Sequence, residues 1–235
     1  EIARSKTPES GQVLIYLFPF WFLGLFKLFK RFDKPAKTIL LWLFIAPVAA
    51  ALTFQSPHAL RAENMVIPLS IVIALGLSTA NLCKLPLVVL IGALVTFSFV
   101  KYLHMYYIHY PQELAYAWQY GFDQVADYVK ENEQKYDHII ITDRYDQPYI
   151  LMAFFLKYPP KLLQKEIVLT SRDQFGFGTV RSFGKFQFHQ IDHGKDLTKP
   201  KTLVISADEY VPEKFTRLQF LDPGGKIMYT ASDNL

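Results

Sequence analysis

Four long apolar runs in the first half of the chain limit the folds that it can adopt. They lie at about 13–29, 38–54, 65–83 and 85–103. At about 1.5 Å per helical residue, runs of about 17–19 residues just cross the hydrocarbon core of a bilayer. Pro47 lies inside one run, which membranes tolerate because neighbouring helices satisfy the freed carbonyl group. We therefore predict an α-helical transmembrane bundle of about four spans within residues 1–110.

The distribution of charge predicts the orientation of these spans. Five cations lie in the segment that joins the first two runs: Lys27, Lys30, Arg31, Lys34 and Lys37. Only Asp33 opposes them there, and such a loop is typically cytoplasmic. Alternation then puts the 55–64 loop and everything after about residue 104 outside. We expect an integral, multi-pass protein of the plasma membrane whose carboxy-terminal domain is extracytoplasmic.

Other aspects of composition narrow the class of protein. Residues 1–110 carry ten Lys/Arg against four Asp/Glu, and residues 111–235 carry fifteen against seventeen, which gives +6 and −2 and sums to the net charge of +4. The basic excess belongs to the apolar half and does not indicate nucleic-acid binding. A single cysteine excludes an internal disulfide framework. The sequence starts at Glu1 without a signal-peptide pattern, so we expect it to be the carboxy-terminal piece of a longer protein.

Aromatic and histidine residues cluster where the fourth run ends. His104 and His109 lie among several tyrosines. Amphipathic rings are enriched at the headgroup level of membranes, so we interpret the two histidines as interfacial residues rather than metal ligands.

The second half, residues 111–235, has the pattern of a small α/β domain. An amphipathic helix of about six turns begins at Pro111. A short β-branched strand follows at 138–142, and a second helix is predicted at 149–158. Further candidate strands lie at 167–170, 179–189, 201–206, 216–221 and 226–230. A continuous apolar strand such as 138–142 is typical of a parallel or mixed sheet that helices cover.

The loop after the 138–142 strand is the first candidate site. Asp143 and Asp146 follow the carboxyl end of that strand, where open α/β sheets place their ligands. The two carboxylates could bind a cation or sugar hydroxyls, and Tyr145, Gln147 and Tyr149 make the loop similar to a glycan-facing surface. The alternative is that Asp146 caps the next helix and Asp143 ends a turn.

A second polar group lies further along the chain. His189, Asp192 and His193 lack the helical spacing of metal ligands, so we interpret them as solvated turn residues. Phosphate-loop, zinc-hydrolase and serine-hydrolase motifs do not occur in this sequence. We predict no metal site and no cofactor, although the sequence leaves a divalent metal open.

The 53–64 loop holds the second candidate site. His58 and Arg61 are three residues apart and share one face if the third helix begins early. The planar guanidinium group suits phosphate, and a phosphate at a membrane surface belongs to a lipid headgroup or a lipid-linked substrate. The alternative is that Arg61 extends to the interface and pairs with Glu63, or only marks the end of the loop.

Two stretches carry a resemblance to a known family. The loop Ser56-Pro-His-Ala-Leu-Arg61, followed by Ile67-Pro68, and the segment Thr142-Asp-Arg-Tyr-Asp-Gln-Pro-Tyr149 are similar to the later part of family 39-type glycosyltransferases of the GT-C class. That class includes protein O-mannosyltransferases and lipid A aminoarabinose transferases. The resemblance covers most of the chain.

The resemblance implies a transferase that moves a sugar from a polyprenyl-phosphate carrier to a glycan, lipid or protein acceptor on the outer face of the membrane. It places the catalytic acidic residue in an outside loop that lies beyond this sequence, and it implies that Arg61 and His58 bind the carrier phosphate. The lipid-linked sugar is then a substrate rather than a cofactor. The alternative function is a membrane-anchored module that binds a glycan or a partner without catalysis.

Overall fold

The computed structural model describes residues 7, 9, 11, 13–52, 60–79, 85–174 and 176–235. The chain divides into two compact units, Glu1–Pro111 and Gln112–Leu235. The first unit is helical, and the second contains the sheet.

The first unit is built from helices that are mostly apolar. They are α1 (Phe18–Arg31), α2 (Lys34–Ala51), α3 (Val66–Thr79) and α4 (Leu85–His104). A 3₁₀ turn at Leu60–Met65 leads directly into α3. Asp33 caps α2, because its carboxylate accepts a hydrogen bond from the Ala36 amide at 3.0 Å.

Among the described residues, three helices are long and apolar enough to cross a membrane: Lys34–Ala51, Leu60–Thr79 and Leu85–Glu113. A membrane helical region followed by an α/β domain is therefore compatible with the structure. The first apolar run forms only the 14-residue helix α1, which would reach about 21 Å at 1.5 Å per residue. A fourth span stays a prediction.

Glycines bring α1 and α3 into backbone contact. A Cβ atom built on Gly24 would lie 1.9 Å from the Val72 carbonyl oxygen, and one on Gly76 would lie 1.7 Å from that of Phe20. Only glycine leaves room for two helices this close. Small residues at helix crossings are typical of membrane bundles, where packing rather than the hydrophobic effect drives association.

The fourth helix continues past its predicted end. A π-helical turn at Met105–His109 and a short helix α5 (Tyr110–Glu113) extend α4, so the continuous helical segment is 29 residues long. Tyr102, Tyr106 and Tyr110 form a stacked ladder along it, with ring centroids 5.9 Å apart at each step. The rings of His104 and His109 meet at 5.1 Å.

The second unit begins with a break in the predicted six-turn helix. The chain forms a 3₁₀ turn at Ala115–Trp118 and then the helix α6 (Phe122–Asn132). The break lies at Gln119 and Gly121, whose φ angles are +52° and +80°. Glycine adopts such angles at little cost, so the chain can turn there in spite of its continuous amphipathic spacing.

Three further α-helices, two 3₁₀ turns (Glu133–Lys135 and Glu213–Phe215) and seven strands complete the described part of this unit. The helices are α7 (Pro148–Phe155), α8 (Pro160–Glu166) and α9 (His193–Asp196). The strands are β1 (His138–Ile141), β2 (Val168–Leu169), β3 (Val180–Phe183), β4 (Phe186–Phe188), β5 (Thr202–Ser206), β6 (Thr216–Leu221) and β7 (Ile227–Asp233).

The strands form one mixed sheet in the order β2-β3-β4-β1-β5-β7-β6. The three central strands β4, β1 and β5 are parallel, and the outer pairings are antiparallel. The predicted strand at 179–189 is in fact the hairpin β3–β4, which turns at Gly184 with a φ angle of +50°. A mixed sheet with a parallel centre agrees with the sequence-based prediction.

The sheet has two unequal cores. The larger one includes Ile139, Ile141 and Leu203 and packs against α6 and Met152 of α7. On the opposite face, Ile140 and Val204 pack with Ile191 and Leu197 around α9. Successive residues of β1 thus enter opposite cores, Ile139 and Ile141 the larger one and Ile140 the smaller one.

Candidate functional site

The sheet of the second unit has a topological switch point between β4 and β1. These neighbouring strands are parallel, but the connection after β1 enters α7 on the larger core face and the connection after β4 enters α9 on the other face. The two loops therefore separate at the carboxyl edge of the sheet. Open α/β sheets bind their ligands in the crevice that such a separation creates.

The loop after β1 contains the predicted glycan-facing residues, and the structure divides them into two groups. Asp143, Asp146 and Gln147 are exposed. Tyr145 and Tyr149 are half-buried: the Tyr145 ring packs 5.8 Å from that of Tyr229, and the Tyr149 ring 6.3 Å from that of Phe188. The two tyrosines support the loop, while the three polar side chains present its surface.

The predicted alternative, in which Asp146 caps the following helix, is wrong. The N-cap residue of α7 is Gln147, and its side chain caps no backbone amide. Its Oε1 instead accepts a hydrogen bond from the Tyr149 hydroxyl at 3.0 Å. Asp146 has a φ angle of +137°, which non-glycine residues rarely adopt and which concentrates at functional sites.

Polar contacts join this loop to the one after β5. The Thr142 hydroxyl, which is buried, donates a hydrogen bond to Glu209 Oε1 at 2.5 Å and accepts one from the Arg144 amide at 3.1 Å. The Arg144 guanidinium group donates to both oxygens of Asp208, at 3.0 and 3.2 Å. Sequence reasoning missed this second loop, although Asp208 and Glu209 follow a buried strand as Asp143 does.

His193 lies on the other side of the switch point and is not a solvated turn residue. Its Nε2 lies 3.0 Å from Ser206 Oγ and 3.4 Å from Ser232 Oγ. Both serines are fully buried, so the cluster fastens α9 to the sheet and presents no nucleophile. In the sequence, Ser206 ends the strand β5 and Ser232 is the penultimate residue of β7.

The electrostatics of His193 follow from this position. Burial lowers the pKa of the imidazole, and the carboxylates of Glu209, Asp196 and Asp192 oppose that shift without reversing it. A cleft of about 640 Å³ opens beside it, with Asp192, Glu209 and Tyr210 in its wall.

The structure describes Arg61 but not the whole of its loop. Arg61 is exposed in the 3₁₀ turn Leu60–Met65, ahead of α3. It forms no ion pair with Glu63, which is also exposed, or with any other described residue. The alternative in which Arg61 pairs with Glu63 is therefore not seen, and Arg61 as the end of a loop stays open. His58 lies outside the described residues.

The described residues contain no group of three or more His, Cys, Asp or Glu side chains that could hold a metal ion. Searches against protein-family models, curated proteins and solved structures found no match for the chain.

Proposed function

We propose that the chain is part of an integral membrane glycosyltransferase. It would move a sugar from a polyprenyl-phosphate carrier to a glycan, lipid or protein acceptor on the outer face of the cell membrane. The observation that carries this proposal is Arg61, an exposed arginine without a described ion-pair partner in the first turn of a helix long and apolar enough to span a bilayer.

An arginine in this position suits a phosphate at the membrane boundary. A guanidinium group offers donors in a planar fork that matches two phosphate oxygens. Its charge is worth more near lipid than in water, because the local dielectric constant is lower. Charged groups near a bilayer are costly and are commonly functional.

The reaction creates the charge that Arg61 would stabilise. The bond between the anomeric carbon of the sugar and the carrier phosphate oxygen breaks, and the electron pair leaves with the phosphate. The acceptor oxygen forms the new bond from the opposite face and gives its proton to an acidic residue that acts as the base. Arg61 would stabilise the negative charge that develops on the leaving phosphate.

The crevice of the second unit would bind a glycan. Asp143 and Asp146 are exposed carboxylates, and carboxylates accept hydrogen bonds from sugar hydroxyls. The contacts of Thr142 with Glu209 and of Arg144 with Asp208 hold two loops of the same edge together. Such support restricts the movement of the groups that bind a ligand.

Transfer in membranes tests the proposal. Membranes from cells that make the protein would be given a panel of polyprenyl-phosphate sugars that are labelled in the sugar, and labelled product would be counted. We expect Arg61→Ala to lower transfer by about 100-fold or more, the scale seen when one stabilising donor is removed. Arg61→Lys keeps the charge but loses the planar set of donors. Its transfer rate should therefore lie between that of the unchanged protein and that of Arg61→Ala.

Lys30→Ala is the matched control, because Lys30 is an exposed cation in the segment predicted to lie on the other side of the membrane. It should leave transfer unchanged. Normal transfer by Arg61→Ala, with normal insertion in the membrane, would remove Arg61 from the mechanism.

A second candidate function is a membrane-anchored module that binds a glycan or a partner without catalysis. It is favoured by the switch-point crevice, which residues 112–235 form by themselves. In that case the chain in nanodiscs would bind free glycans, Asp143→Asn would weaken the binding, and Arg61→Ala would have no effect.

A further inference from the structure

An aromatic turn follows the last apolar helix directly. The continuous helical segment ends at Glu113, and the 3₁₀ turn Ala115–Trp118 begins two residues later. Ala115 and Ala117 are buried, whereas the side chains between and after them are exposed: Tyr116 by 42%, Trp118 by 59% and Tyr120 by 42%. Buried and exposed residues thus alternate, and the three large aromatic side chains face away from the core.

Contacts within the second unit place this turn at the carboxyl edge of the sheet. The Tyr116 ring lies 6.2 Å from that of Tyr145, in the loop after β1. The Phe122 ring lies 5.7 Å from that of Tyr229. Tyr229 precedes Thr230, which pairs with the last residue of β5, so it belongs to the same edge.

The point at which the chain enters the unit lies at this edge too. A Cβ atom built on Gly224, in the turn between β6 and β7, would lie 3.8 Å from the Cβ of Gln112. Trp118 follows Glu113 by five residues, and five residues reach at most about 18 Å. The aromatic turn therefore stays close to the end of a helix that is long and apolar enough to span a bilayer.

We propose that Tyr116, Trp118 and Tyr120 form a docking surface for lipid headgroups. Tryptophan and tyrosine have an apolar body and a polar tip, and they are enriched where a membrane meets water. The occupant is the bilayer itself, because the surface is covalently continuous with the candidate span. This surface does not depend on sugar transfer.

Charge indicates which lipids the surface accepts. The same edge carries the exposed carboxylates Asp143 and Asp146, which anionic headgroups would repel, whereas the charge of Asp208 is balanced by Arg144. Docking should therefore occur on zwitterionic phosphatidylcholine and should not weaken when salt screens charges.

Quenching of a single tryptophan tests the proposal. The chain has three tryptophans, so Trp21→Phe/Trp42→Phe leaves Trp118 as the only one. In phosphatidylcholine nanodiscs, lipids brominated near the headgroup end of the acyl chain should quench Trp118 at least about twofold more than a matched probe at the opposite edge. That probe is Phe154→Trp with all three natural tryptophans changed to Phe, because Phe154 is 72% exposed near the end of α7.

Equal quenching of the two probes would overturn the docking surface. If the tryptophan variants fail to fold, Trp118→Cys and Phe154→Cys in a Cys83→Ser chain, each labelled with an environment-sensitive dye, give the same comparison. The measurement needs no substrate, so its outcome is independent of whether the chain transfers a sugar.

Discussion

At the scale of single residues, Thr142 joins the two loops of the crevice. It is 3% exposed, and its hydroxyl both donates to Glu209 and accepts from the Arg144 amide. Thr142→Val keeps the shape of the side chain but removes both hydrogen bonds. We expect it to lower the free energy of unfolding by about 1–3 kcal/mol, because the Glu209 carboxylate and the Arg144 amide each lose a partly buried hydrogen bond.

Chemical denaturation would measure this effect. Thr198→Val is the matched control, since Thr198 is exposed and donates only to the Lys195 carbonyl group. It should change the stability by less than about 0.5 kcal/mol. Equal effects of the two substitutions would show that Thr142 does not hold the loops together.

His193 gives the second unit a dependence on pH. Burial lowers the pKa of the folded imidazole below its unfolded value of about 6.5, so the unfolded state binds more protons as the pH falls through that value. Stability should be complete above about pH 6.5 and decline below it. Melting temperatures at pH 7.5 and 5.5 would show the decline, and His193→Gln should reduce it.

A matched variant is His104→Gln, which changes an exposed imidazole in the other unit. Its melting temperature should fall with acidity as much as that of the unchanged protein. If the melting temperature of His193→Gln falls with acidity as much as that of the unchanged protein, His193 does not couple the stability of the fold to pH.

The sequence predicts part of the candidate site at this scale. Asp143 is recognisable because a polar residue directly follows an apolar strand, and the structure places it at the carboxyl edge. The role of His193 could not be predicted, because its partners Ser206 and Ser232 come from two other segments of the chain. The half-buried state of Tyr145 likewise depends on Tyr229, 84 residues later.

At the scale of elements, the crossing of α1 and α3 depends on two glycines. In Gly24→Ala, the new Cβ atom would lie only 1.9 Å from the Val72 carbonyl oxygen if the backbone did not move. The helices must then move apart, which we expect to destabilise the first unit by about 1–3 kcal/mol or more. The apparent melting temperature in detergent should fall.

Gly92→Ala is the control for Gly24→Ala, because a Cβ atom built on Gly92 of α4 has no other atom within 4 Å. In a helix interior that change should be neutral or stabilise by up to about 1 kcal/mol. A normal melting temperature for Gly24→Ala would contradict the close crossing.

Elements are predicted well where local spacing determines them and poorly where one residue interrupts the pattern. The apolar runs that form α2 and α4 and the strand β1 follow from hydropathy and β-branching. The break at Gly121 does not, because the amphipathic spacing continues through it, and the hairpin at Gly184 does not, because the whole stretch has the composition of a strand. Positive φ angles at these glycines end the elements.

At the scale of the whole molecule, an apolar helical unit precedes a mixed-sheet unit, as the change in composition near residue 111 predicts. Each unit has its own core. The order of the strands could not be predicted from the sequence, because the central strand β1 pairs with β4 and β5, which come much later in the chain. The switch point is a consequence of that order.

The most direct test of the proposed function is binding of the carrier phosphate. The chain in nanodiscs would be offered a polyprenyl phosphate or the same polyprenol without phosphate, and retained lipid would be measured by native mass spectrometry. We predict that the phosphate form is retained preferentially, and that Arg61→Ala weakens its binding by about tenfold or more, as expected for a lost charge-assisted contact. Equal retention of the two lipids, or equal binding by Arg61→Ala, would contradict the account.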